Sequence, residues 1–190
     1  MKSKEELIEL LKHDVSGFNE YKNWTSQKID LGGADFTEAT LYKADLGNTN
    51  LYGANLYRAD LRGANLRGAD LRGASLYGAV LENTNLYRAD LKNANLSRAN
   101  LFAANLTEAN LFGANLTNAK LIGAILHETI LTQATLTQAM LYDADLTFAD
   151  LRDADLRGAN AMSAKVYGAK IDNAMAITIL KSIGMTIKGE

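Results

Sequence analysis

From Leu31 to Leu156 one position recurs every five residues, and of these 26 sites 25 are leucine and one, Phe36, is phenylalanine. Two residues earlier in each unit, from position 34 to 174, 29 sites hold 26 alanines and three threonines, Thr49, Thr84 and Thr129. Between Ala and Leu stands mostly Asp or Asn, as in Ala54-Asn55-Leu56 and Ala59-Asp60-Leu61. We call the Leu site the centre and number its flanks from minus two to plus two. Self-similarity of this strength governs the fold before any other feature. A strict period of five suits neither regular element. On an α-helix each Leu would sit about 140° from the last and circle the axis. On a straight strand an odd period sends successive leucines to opposite faces.

Within one pentad, however, Ala and Leu are two residues apart and share a face if the segment is extended, with the Asp or Asn pointing outward. Every Ala and Leu stays inside only if the chain turns after each short extended piece. The turn belongs at plus two, where 10 of the 15 glycines lie, because glycine adopts turn dihedrals at little steric cost. The result is an all-β solenoid. One buried Leu and one Ala do not offset the entropy of fixing five residues, so no coil folds alone and the coils must stack. The chain has no cysteine, which excludes a disulfide scaffold and a thiolate metal site. No stretch is apolar for long enough to span a bilayer, and a soluble cytoplasmic protein is expected.

The run Ala-(Asp/Asn)-Leu-x-x, as in Ala64-Asn65-Leu66-Arg67-Gly68, resembles the pentapeptide-repeat protein family over about residues 29–178, or about 30 pentads. The resemblance implies a right-handed quadrilateral β-helix with four pentads per coil, centre and minus-two side chains inward and the other three outward. That makes about 7.5 coils and, at ~4.8 Å between strands, a rod of roughly 36 Å. Centres Ala161, Val166, Ile171 and Ala176 replace Leu near the end, where the rod is expected to taper. The family is common in cyanobacteria, which implies a bacterial cytosolic origin.

Both rod ends need caps. Residues 1–28 read as a helical cap. Ser3-Lys4-Glu5-Glu6 is a capping box opening a helix through about Lys12, with Leu7, Leu10 and Leu11 on one face. A second helix from Ser16 to Trp24 presents Phe18 and Tyr21. The alternative is a partner-binding helix. Residues 179–190 form a separate tail, with a helix expected over Asn173–Ile183 and an alternating strand at Met185-Thr186-Ile187-Lys188. Its apolar side chains suit either a cap or a homodimer contact.

Catalytic chemistry finds little support. The two histidines, His13 and His127, are far apart and neither has metal-ligand spacing with another histidine. Of the acidic cluster Asp143, Asp145, Asp150, Asp153 and Asp155, three are minus-one residues that the repeat places there anyway, where Asp and Asn hydrogen-bond backbone at turns. There is no phosphate loop or nucleophile elbow, and a filled rod lacks a concave pocket. No cofactor, no metal and no enzymatic activity are expected.

Two classes of function remain. One is a protein-interaction or scaffold module whose partner the sequence does not name. The other, implied by the quinolone-resistance members of the resembled family, is a DNA mimic that inhibits a type II topoisomerase such as gyrase. Mimicry needs dense outward negative charge, yet residues 41–100 carry eight basic and five acidic groups, net +3, and residues 101–160 three and seven, net −4. The arginines interleave with Tyr52, Tyr57, Tyr77 and Tyr87, a pattern that can stack on nucleic-acid bases. With an overall net charge of −2 and no groove, they are read as solvated columns, and neither nucleic acid nor membrane is expected as a partner. With twenty residues per coil, the plus-one sites Tyr42, Arg62, Glu82, Phe102, Ile122, Tyr142 and Met162 form one outer column. Its last four members are large and apolar or aromatic, and nearby minus-one sites become Ile125, Ile130 and Met140. The candidate interface is Phe102, Ile122, Ile125, Met140 and Tyr142, for a second copy or another protein. The alternative role is stacking that stiffens the ladder.

Overall fold

Residues 2–172 are described by the computed structural model. Residue by residue, each minus-one site bridges in parallel to the site twenty residues on. The first pair is Asp30 with Asn50, the last Asp150 with Lys170. A spacing of twenty with a period of five requires four walls per coil. The extended pieces are so short that each contributes a single bridge to its wall. Between coils each full pentad makes three backbone bonds, illustrated by Leu31 N to Asn50 O (2.8 Å), Gly33 N to Tyr52 O (2.7 Å) and Asn50 N to Ile29 O (2.9 Å).

The corners lie at plus one and plus two. The N–H of the next minus-two residue donates to the preceding centre carbonyl, as Ala34 N does to Leu31 O at 3.0 Å. Every plus-two residue from Gly33 to Gly168 has positive φ, 62–70° at ten glycines and 52–60° at eighteen other residues. A bond spanning three residues with positive φ at its third position is the signature of a type II turn. None of those eighteen is Val, Ile or Thr, the residues for which this conformation is most costly. Threonine occurs freely one position earlier, at Thr37, Thr107 and Thr117, where φ is ordinary.

The leucine centres from Leu31 to Leu156 are buried together with the alanines beside them, except Ala39 near the capped end, which is half-buried. Ala161 is buried as well, while Val166 and Ile171 are only half-buried, so the core thins toward residue 172. The expected C-terminal helix over 173–183 and the strand after it lie outside the described residues.

Two short helices close the other end, α1 (Lys4–His13) and α2 (Val15–Trp24). Ser3 caps α1 with a reciprocal bond pair to Glu6. Leu7, Leu11 and Phe18 are buried in the same core as Leu31 and Phe36. The helices also replace the coil that the first strands lack. In the ladder, Asp45 N would donate to the carbonyl of residue 24; it donates instead to Asn19 Oδ1 at 2.7 Å. The carbonyl of Gly47, which a coil would meet with the N–H of residue 28, accepts from Lys22 Nζ at 2.7 Å. Gly32 O likewise accepts from Lys4 Nζ. Asn19 Nδ2 adds a bond to Lys43 O at 3.1 Å. Side chains of the cap thus stand where peptide groups would stand.

The inward threonines follow the same logic, with one exception. Thr84 Oγ1 donates to Leu61 O and Thr129 Oγ1 to Leu106 O, both at 2.8 Å and both twenty-three residues back. Thr49 is also buried, but its hydroxyl has no partner. Twenty-three residues before it is Ser26, which precedes the first full pentad, so the centre carbonyl that serves the other two does not exist there. Thr49→Val therefore stabilises the protein by about 1 kcal/mol, since it removes an unpaired buried hydroxyl without changing shape. Thr84→Val, which deletes a made bond, destabilises by a similar amount. Paired denaturation curves showing the same sign for both would refute this assignment.

Candidate interaction surface

At most minus-one sites the Asp or Asn Oδ1 accepts the N–H of the plus-one residue and so fastens the corner. Asn50 holds Tyr52 N at 3.0 Å, Asp145 holds Thr147 N at 3.1 Å and Asp155 holds Arg157 N at 3.1 Å. Where the plus-one residue is arginine and the minus-one residue aspartate, the guanidinium returns to the same carboxylate. Arg62 reaches Asp60, Arg72 Asp70, Arg152 Asp150 and Arg157 Asp155, each at 2.6 or 2.7 Å. The Arg157 side-chain bond, with the backbone bond beside it, holds the Asp155 carboxyl down to about 2. Asp60, Asp70 and Asp150 are lowered for the same reason, the arginine bond coming first. Three members of the acidic cluster are therefore fasteners. Among the described residues no group of His, Cys, Asp or Glu is arranged to hold a metal ion.

Ile125, Ile130 and Met140 break this rule. An apolar side chain accepts nothing, so each gives up a corner bond of about 1 kcal/mol. All three are nonetheless exposed, at 42%, 41% and 43%. Loss of a fastener in exchange for exposed hydrocarbon points to a surface that something else covers.

The corner after Met140 carries the column foreseen in the sequence. Its successive residues are linked through the backbone: Ala103 N donates to Ile122 O (3.0 Å), Gly123 N to Tyr142 O (2.8 Å) and Asp143 N to Met162 O (3.2 Å). Phe102, Ile122, Tyr142 and Met162 therefore stack at one edge of the rod. Met140 stands on the wall before that edge and Ile125 on the wall after it. Phe102 is exposed, whereas Ile122 and Tyr142 are half-buried and the Tyr142 hydroxyl accepts from Asn160 Nδ2 at 2.7 Å. The five candidate residues surround one corner, with Ile130 a further wall away.

An aromatic group on the next corner escapes the sequence reading. Phe148 stacks edge-on against His127 (centroids 5.6 Å) and Tyr167 (5.5 Å), with Phe148 and Tyr167 exposed at 48% and 77%. Phe148 is the one aromatic among the positive-φ residues, with φ 58°. Its ring occupies the place where Gly168, one coil on, would carry a Cβ. The available signal was a phenylalanine at a turn position, followed twenty residues later by glycine. Trp24, read in the sequence only as the end of the second helix, is exposed there.

The N-terminal half is dressed differently. Arg58, Arg67, Arg72, Arg88 and Arg98 lie over the rings of Tyr57, Tyr87, Tyr52, Tyr87 and Tyr77 at 4.9–5.9 Å, and Tyr57 stacks parallel on Tyr77 at 5.5 Å. Arginines and tyrosines here satisfy one another.

A family model for pentapeptide repeats matches residues 29–68, 64–101, 99–138 and 139–174, in eight copies. The chain belongs to the pentapeptide-repeat family. The four-walled solenoid is thus the right-handed quadrilateral β-helix of pentapeptide-repeat proteins. Among solved structures, QnrB1, described as a plasmid-mediated fluoroquinolone resistance protein, is 21% identical. The match covers 87% of this chain and 92% of that one with a TM-score of 0.53, which shows a shared fold. HetL, a pentapeptide repeat protein involved in heterocyst differentiation regulation in the cyanobacterium Nostoc, is 29% identical over 79% of this chain and 93% of that one, with a TM-score of 0.25. Rfr23 from the cyanobacterium Cyanothece is 29% identical over 65% and 84% respectively, at a TM-score of 0.41. No curated protein matches the chain. Among the described residues no helix is long and apolar enough to cross a membrane.

Proposed function

We propose that this pentapeptide-repeat protein is a cytoplasmic, non-enzymatic interaction module, a rod of about 7.5 coils that holds a protein partner on the corner of Phe102, Ile122 and Tyr142, flanked by Met140 and Ile125. The observation that carries this reading is the exchange of corner-fastening Asp or Asn for exposed apolar residues at 125, 130 and 140. A residue needed only to stiffen the ladder has no reason to forgo that bond. The test uses substitutions that the same columns already accept. Glu82 shares the column of Phe102, and Lys120 that of Met140. The double variant Phe102→Glu, Met140→Lys is expected to keep the circular dichroism and melting temperature of the wild type. It is expected to lose at least tenfold in affinity for a partner captured by the wild-type protein from its native cell. Equal capture by both proteins rejects this corner as the contact.

The second reading, a DNA-mimic inhibitor of a type II topoisomerase such as gyrase, draws on the fold shared with QnrB1. Against it stand the net +3 of residues 41–100 and the arginine neutralisation of Asp60, Asp70, Asp150 and Asp155. Inhibition of gyrase supercoiling by the purified protein would replace the first reading with the second.

A further inference from the structure

The corner next to the proposed partner site carries both a projection and a recess. The projection is Phe148 with Tyr167. The recess lies at the other end of the same corner, where Gly47 and Gly68 bring no side chains, the small Asn48 side chain between them reaches over Gly68, and residues at the end of α2 form a rim. It is a cleft of about 470 Å³ bordered by Lys22, Lys28 and Ile29. Gly47 and Tyr167 are equidistant in sequence from Thr107, three coils to either side; Gly68 and Phe148 are equidistant from Glu108, two coils to either side. Projection and recess are therefore related by one two-fold axis crossing the corner at Thr107–Glu108.

We propose that two copies of this chain pair side by side and antiparallel about that axis, with Phe148 and Tyr167 of each copy seated at the Gly47–Gly68 cleft of the other. The surface is self-complementary and the symmetry closed, so the assembly stops at a dimer. Charge selects the same direction. Antiparallel pairing sets the +3 half of each rod beside the −4 half of its mate twice over, while parallel pairing sets like against like. Along the corner it brings Arg88 opposite Glu128 of the second copy, since both stand one coil from Glu108. The two Glu108 carboxylates approach at the axis, and each is already neutralised by its own Arg88 at 2.7 Å. The contact runs from residue 47 to residue 167, six coils or about 29 Å at ~4.8 Å per coil, but it is a narrow edge. It belongs to the small, weak class of interfaces, with affinity in the micromolar range and a marked salt dependence.

The proposal does not depend on the preceding reading, because Phe102 and Met140 lie on a different corner and wall. The test exploits the absence of cysteine from the chain. Thr107→Cys, on the axis, is expected to form a disulfide-linked dimer on mild oxidation. Thr117→Cys, at a similarly half-exposed plus-one site on another corner, is expected to remain monomeric. Sedimentation of the full chain at about 100 µM is expected to show a dimer in about 50 mM salt that weakens at least tenfold in about 500 mM. Phe148→Gly is expected to abolish it while leaving circular dichroism unchanged, since glycine suits φ 58° at that site. A wild-type monomer at low salt, equal cross-linking of the two cysteine variants, or a dimer unaffected by Phe148→Gly overturns the proposal.

Discussion

Leu96→Asp is expected to leave no folded rod at room temperature. Leu96 is a fully buried centre in mid-solenoid, with coils stacked on either side. The substitution removes a packed side chain and places a carboxylate where alanines and leucines offer it nothing to bond. Together the cavity and the stranded polar group cost more than about 5 kcal/mol, comparable with the whole stability of a domain. Because each coil is held only by its neighbours, the damage spreads both ways along the stack. Far-ultraviolet circular dichroism and a melting curve decide the matter, and an unchanged melting temperature would falsify the inward assignment of the centres.

The second large effect is expected at the cap. Replacing Asn19 by Leu and Lys22 by Met together removes the groups that meet Asp45 N, Lys43 O and Gly47 O, and it strips Asp45 of its ammonium partner at 2.9 Å. Each abandoned backbone group costs on the order of 1 kcal/mol or more, so the pair costs roughly 2–4 kcal/mol. The loss should be polarised. Amide exchange in residues 31–50 is expected to accelerate far more than in residues 90–110, because local opening at a rod end need not melt the middle. Uniform acceleration along the chain would show that the cap acts on the whole rod and not on its first coil.

These two cases mark what was legible in the sequence. Leu96 was assigned to the core from its period alone, since every fifth residue stays inside only if the chain turns after each short extended piece; the count of four walls was what the family resemblance implied. The capping box at Ser3 and the two helices were equally readable, because their signals are local. The peptide-mimicking side chains were not. Asn19 and Lys22 sit in an ordinary polar helix, and their role exists only where a missing coil leaves particular N–H and C=O groups unmet. The unpaired hydroxyl of Thr49 was hidden for the same reason: its motif is that of Thr84, but its neighbour coil is absent. On the surface, column arithmetic brought Phe102, Ile122 and Tyr142 together correctly, yet it did not show that Ile122 and Tyr142 are half-buried. Phe148 was passed over because plus-two residues were read as turn formers, and side-chain size was not weighed there.

The twenty-residue register of the bridges also bears on how such a chain changes over time. Loss or gain of a whole coil leaves every downstream column where it was, so the rod is merely shortened or lengthened. Loss or gain of one pentad leaves each Leu and Ala indoors but turns everything beyond it by a quarter, dealing the outer residues onto new faces. Length and surface pattern can therefore drift independently while the interior is untouched. Duplication slips of five residues would shuffle binding faces in a single event, without passing through an unfoldable ancestor.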